Sequence, residues 1–242
     1  MARFNYSFKP TLIPTLAFLV VFPVLLSLGQ WQLNRAEEKR EIERGVEAAM
    51  SKPALLLNQT NLSSLTQQVY RAVKLEGRFD TDHQYLWDNK THKGKSGYYV
   101  LTPFVLKDTA QRIIVNRGWV PILGRRDEYP DISVSTDQVV VEGVIKMPSN
   151  ALQLSDSTVT NALNFPLTIQ AFEPSVIMQQ LGVEVLPIMV ELSPNEAQGY
   201  VREWQPYYGK IGKHIGYAVQ WFIMALIALF LYIKLNIRRK AN

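Results

Sequence analysis

Two stretches of this chain, residues 11–28 and 215–233, are long apolar runs without a single charged side chain. As helices rising ~1.5 Å per residue they would be about 27 and 28 Å long, close to the ~30 Å hydrocarbon layer of a bilayer. Each predicts a transmembrane helix, the first kinked at Pro14 and Pro23. A cleaved signal peptide is the alternative for the first run. That run, however, is longer than the usual h-region of ~7–15 residues, and no A-x-A site follows it. Between the two runs the pattern changes twice. Residues 33–50 are rich in Glu, Arg, Lys and Ala, with Ile42, Val46 and Ala49 at helical spacing, which predicts a surface helix leaving the membrane. After Pro53 come short runs of β type at 69–79, 84–88, 98–106, 112–120, 139–146 and 186–192. In the first of these Val73, Leu75 and Phe79 alternate with Lys74, Glu76 and Arg78, so one face is wet. The polar segments 89–97 and 107–111 read as hairpin turns. "KLEGRFD" at 74–80 and "VVEGVIK" at 140–146 suggest two similarly bent strands with a bulge at glycine. A helix is predicted over 173–181, stopped by Gly182.

These elements define an α+β membrane protein in which two transmembrane helices flank an antiparallel β-sheet or partly closed barrel with a few short helices. The expected divisions are a tail at 1–10, a span at 11–28, an external domain at 29–214, a second span at 215–233 and a tail at 234–242.

Charge alters this picture less than the bulk value suggests. The net charge is +5 and the isoelectric point about 9.3, which would ordinarily raise a nucleic-acid partner. The excess, however, sits in the tails, at Arg3, Lys9, Lys234, Arg238, Arg239 and Lys240, while residues 29–214 hold 20 Lys and Arg against 21 Asp and Glu. Nucleic acid is therefore not an expected partner; membrane lipid is. The basic cluster after the second span predicts a cytoplasmic side for both tails and an exported middle domain. Trp31 past the first span, and Tyr207, Tyr208, Tyr217 and Trp221 at the second, suit an interfacial aromatic belt. Without cysteine, no disulfide holds the exported domain, and its core must suffice. The N-terminal segment lacks an Arg- and Ser-rich leader, which favours a bacterial inner membrane, a mitochondrial inner membrane being the alternative.

Catalytic patterns are sparse. The chain has no G-x-S-x-G, P-loop, G-x-G-x-x-G or H-E-x-x-H sequence and only three histidines. His83 and His92, with Asp80, Asp82 and Asp88, read as solvated turn residues; the alternative is an active site in that segment. "VNRGWVP" at 115–121 opens two readings. One is a strand corner in which Gly118 takes a conformation closed to other residues, Pro121 stops the ladder and an indole plugs the bend. In the other, Arg117 and Trp119, with Arg125 and Arg126 close behind, form a partner-binding surface.

Four segments, "LGQWQLNRAEEKR" at 28–40, "GYYVLTPF" at 97–104, "VNRGWVP" at 115–121 and "HIGYAVQWF" at 214–222, together resemble the ordered signatures of the Surfeit locus protein 1 family, with its flanking membrane helices. The resemblance implies a non-enzymatic assembly factor for cytochrome c oxidase. Its partners would be the large heme-bearing subunit and the heme a synthesis machinery, with heme a as a transient ligand. It carries a proposed heme contact onto His214, the axial metal ligand, with Tyr217 and Trp221 beside it. At helical spacing His214 shares a face with Tyr217, Ala218, Trp221, Ala225 and Ala228, whose small members leave room for a flat macrocycle or a close partner helix. The other reading of His214 is an interfacial histidine among membrane-anchoring aromatics. Gln220, an amide one turn inside the bilayer, needs a partner on the helix of Trp31 or on a client. Trp31, Arg117, Trp119 and Gln220 are thus the expected partner contacts. A membrane enzyme of heme or lipid metabolism and a structural anchor subunit remain the alternatives.

Overall fold

A computed structural model describes residues 6–59, 62–109, 111–124, 128–147, 164–204 and 209–239. The chain forms two compact units, one of residues 1–45 with 207–242 and one of residues 46–206. Residues 29–45 and 209–214, expected in the external domain, fall in the same unit as the two long apolar helices. Tyr207, Tyr208, Arg125 and Arg126 lie outside the described residues.

The first unit contains β1 (Tyr6–Phe8), most of α1 (Leu12–Met50), α3 (Ile211–Asn236) and β10 (Ile237–Arg239). The 39 residues of α1 are one uninterrupted helix, not a span followed by a separate surface helix. The change at residue 33 is one of composition: polar side chains replace apolar ones without a helix stop, and Arg35–Glu38 and Arg40–Glu37 pairs support the exposed part. Pro14 falls in the first turn, where its missing N–H is needed least, and Pro23 lies inside the helix. The apolar windows of α1 and α3 are only 6% and 11% buried by the protein. Both helices are long and apolar enough to cross a membrane, and a soluble core helix would be covered on most of its surface.

The helices run antiparallel, as their contacts show. Thr15 Oγ1 meets Tyr232 Oη at 3.1 Å, and the Phe18 and Tyr232 rings stack at 4.4 Å. Farther along, a Cβ on Gly29 would stand 2.7 Å from Phe222. At the tail end Asn236, wholly buried, accepts from Thr11 N at 2.7 Å and donates to Tyr232 O at 2.8 Å. Beyond it β1 and β10 pair antiparallel, Tyr6 opposite Arg239, a ribbon the sequence did not suggest.

The second unit is a barrel. It comprises β2 (Leu55–Leu56), β3 (Ala72–Phe79), β4 (Tyr85–His92), β5 (Lys95–Leu106), β6 (Arg112–Pro121), β7 (Val139–Lys146), β8 (Leu167–Ile169), α2 (Pro174–Leu181) and β9 (Val185–Leu192). Strands β3, β7, β9, β6 and β5 follow one another around a ring closed by β3–β5 pairing. All its ladders are antiparallel except β6–β9. Gly77 pairs with Val139 of β7 and with Leu106 of β5, so it lies where β3 passes from one neighbour to the other. A Cβ there would fall 2.0 Å from Val105 O. The β3–β7 ladder keeps its register through Gly77 and Gly143: these glycines permit close approach of strands and do not make the expected bulges. Segment 89–97 is no open turn either. Lys90, Thr91 and His92 pair with Gly97, Ser96 and Lys95, and the chain reverses at Lys93–Gly94, with φ of +48° and +78°.

Inside the ring, Leu75, Phe104, Ile113, Ile188 and Val190 are fully buried, each worth about 1.5–3 kcal/mol. A second cluster around Tyr85, Leu101 and Ile114 is covered by α2 through Ile177. That helix starts at Pro174 and ends where Gly182 takes φ +65° and donates to Met178 O, as the sequence predicts.

Candidate functional site

The α3 helix begins at Ile211, which places His214 in its first turn. Its Nδ1 lies 2.8 Å from Gln32 Oε1 on α1. An amide oxygen only accepts, so Nδ1 carries the proton and, in the neutral ring, Nε2 keeps its lone pair. Gln32 is 9% exposed and His214 half-buried. The bond spans 182 residues of sequence and ties the two helices at the end opposite Asn236. Gln32 was not anticipated. Its signal was an amide at helical spacing with Gly29 and Ala36, the latter 1% exposed, on what proves to be the buried seam.

The neighbours of His214 divide. Ala218 and Ala225 are each 1% exposed, so the small-residue face accommodates the packing of this unit itself and is not an open slot. Tyr217 is exposed and Trp221 half-buried, leaving aromatic surface beside the imidazole. Gln220 is exposed, and among the described residues it makes no hydrogen bond; its amide does not reach the helix of Trp31. Trp31 is exposed too, with the Arg35 guanidinium 6.0 Å from its ring centroid.

The "VNRGWVP" segment lies in β6 and takes the corner reading. Trp119 is 6% exposed and donates Nε1–H to Lys90 O at 3.1 Å. Gly118 has φ +116°, and a Cβ there would meet Val201 O at 2.8 Å. Arg117 is 2% exposed. Its Nε donates to Gln198 O at 2.8 Å, Nη1 to Gln84 Oε1 and Ile132 O, and Nη2 to Ser133 O. Both side chains are buried, and their hydrogen bonds fasten loops to the barrel. Burial pushes the Arg117 guanidinium below its ordinary pKa.

His83 does not pair with His92. Its Nδ1 lies 2.8 Å from Asp80 Oδ1, whose other oxygen is 3.2 Å from Arg112 Nε, while His92 packs on Trp119 at 5.2 Å. Among the described residues no three His, Cys, Asp or Glu side chains gather as a metal cluster.

A family model described as the SURF1 family matches residues 19–226. The chain belongs to the SURF1 family. The match covers the four signature segments and the larger part of both long helices. A SURF1-like protein of Rickettsia felis is 27% identical over 235 residues, covering 90% of this chain and 94% of that protein. One from Monosiga brevicollis is 27% identical over 239 residues, covering 93% and 88%. The cytochrome oxidase assembly protein SHY1 of Saccharomyces cerevisiae is 25% identical over 107 residues, covering 43% of this chain and 28% of that protein.

Proposed function

We propose that this chain is a non-catalytic assembly factor for cytochrome c oxidase that handles heme a beside the large heme-bearing subunit. Family membership and the name of the yeast relative support the assembly role. The observation that carries the heme reading is the His214–Gln32 contact. A neutral imidazole with a free Nε2 is a common axial ligand of heme iron, and ligating histidines are typically oriented through their other nitrogen. The donor set therefore fits the group. His214 would hold the iron, Gln32 would fix the ring tautomer, and Tyr217 and Trp221 would flank the macrocycle. The bound heme a supplies a redox-active iron whose electron chemistry belongs to the client.

Trp31 and Gln220, both exposed on the helix pair, are the client contacts in this reading. An amide facing hydrocarbon gains most from a polar group on another transmembrane segment. The basic residues around 234–240 support a reading in which the tails are cytoplasmic and the barrel is periplasmic at a bacterial inner membrane. Deletion of the gene tests the function: the oxidase should assemble with depleted heme a, read from its reduced-minus-oxidised spectrum, and His214→Ala should restore it poorly. A full complement of heme a in the deletion strain would sink the proposal.

A further inference from the structure

Two guanidiniums grip the segment from Ser193 to Arg202, and neither has a carboxylate partner. Arg117 donates to the carbonyls of Gln198, Ile132 and Ser133 and to the neutral side chains of Gln84 and Thr102. Arg202 donates to Ser193 O at 2.7 Å, Glu196 O at 2.6 Å and Tyr200 O at 3.1 Å. Among the described residues no Asp or Glu oxygen comes within 4.0 Å of either group. Two carboxylates act on them through space, but both are engaged elsewhere. Asp131 Oδ1 accepts Ser133 N at 2.9 Å, and Glu196 Oε1 accepts Glu142 N at 2.7 Å. Burial, the largest influence, disfavours the charged form of Arg117, as does the like charge of Arg202, whereas Tyr200 and Asp131 favour it. Carbonyl dipoles and the Tyr200 ring, 5.0 Å from the guanidinium, solvate the group but supply no directly paired carboxylate.

Beside that charge opens a cavity of ≈ 240 Å³ lined by Arg117, Ser133, Ala197, Gln198, Gly199 and Tyr200. Ser133 and Ala197 are exposed while Arg117 is 2% exposed, so the cavity opens past small side chains and has Arg117 in its inner wall. The volume is below that of a drug-sized site and suits one small acid or one side chain.

We propose that this cavity binds a carboxylate, whose negative charge pairs with Arg117 and is reinforced by Arg202. The group is brought by a small organic acid or by an acidic side chain of a docking polypeptide. The site is independent of His214 and of heme. Thermal unfolding of the full chain in detergent tests it, with sodium acetate and N-acetylglutamate amide as probes and sodium chloride at equal ionic strength as control. Carboxylates are expected to raise the midpoint saturably by about 2–4 °C, beyond any effect of chloride. Ala197→Asp places an internal carboxylate at the cavity wall. It is expected to raise the midpoint without ligand and to remove the response to both probes. A larger response to N-acetylglutamate amide than to acetate at equal concentration assigns the polypeptide source; an equal or smaller one assigns a free acid. Carboxylates that act no better than chloride, or a response that survives unchanged in Ala197→Asp, overturn the proposal.

Discussion

In the barrel, Leu75, Phe104 and Ile113 are wholly buried, and Phe104 meets Phe79 edge to face at 5.0 Å. In the helix pair, Leu19, Val20, Ile227 and Phe230 stand more than half exposed, and what is covered is a narrow seam of Gly29, Ala36, Ala218 and Ala225 with polar contacts at its two ends. The first region excludes water by its own side chains; the second leaves that to lipid. Lipid tails are as apolar as leucine, so apolar contact gives little drive for helices to associate in a bilayer. Close packing at small residues and interhelical hydrogen bonds must then hold the pair. A barrel core tolerates no opening, whereas the seam of the helix pair ends in a half-buried imidazole held by Gln32.

The comparison breaks most visibly in the barrel. Phe104→Ala is expected to cost about 3–5 kcal/mol, measured by denaturant unfolding followed through tryptophan fluorescence, while helical dichroism of the spans in detergent persists. Gly29→Leu acts on the other region. With Phe222 already 2.7 Å from a Cβ, the larger side chain forces the helices apart at about 1–3 kcal/mol. Spin labels on single cysteines, introduced freely because the chain has none, should report a wider separation with the barrel transition unmoved. Gln32→Leu sharpens the contrast further. Its stability cost should be near 0.6 kcal/mol and no more than ~1.7, yet nitrogen NMR of His214 should lose the Nδ1–H signature.

The smallest effect is one of pH. Burial raises the Glu191 carboxyl above its ordinary value, with Lys146 at 3.4 Å opposing it. The native state thus keeps a proton that the unfolded chain has released, so this group takes stability away as pH rises from 4.5 through the folded pKa. Glu191→Gln should flatten that slope in unfolding measured between about pH 4 and 7.

How much of this was legible in the sequence depends on range. Both spans, the strands β3 to β7 and β9, and the Gly182 stop could be read because uncharged runs, alternation and capping are local, whereas the short β8 was not among the runs expected. The continuity of α1 was hidden, since a change of composition at Leu33 looks like a boundary while the helical hydrogen bonds continue. Barrel closure was hidden too: Gly77 signals a close approach but does not name Val105 as the neighbour. The corner at Gly118 and Trp119 was one of two readings, and only burial decides between an indole that plugs and one that docks. His214 was singled out by resemblance, whereas Gln32 needed the fold to bring α1 and α3 together.

The most direct measurement is the absorption spectrum of the protein purified from cells that also make heme a. The wild-type chain should carry a heme a spectrum, and His214→Ala should lose it while retaining the fluorescence unfolding transition of the barrel. A wild-type chain devoid of heme under those conditions, or an identical spectrum in folded His214→Ala, would contradict the assignment of His214 as the ligand.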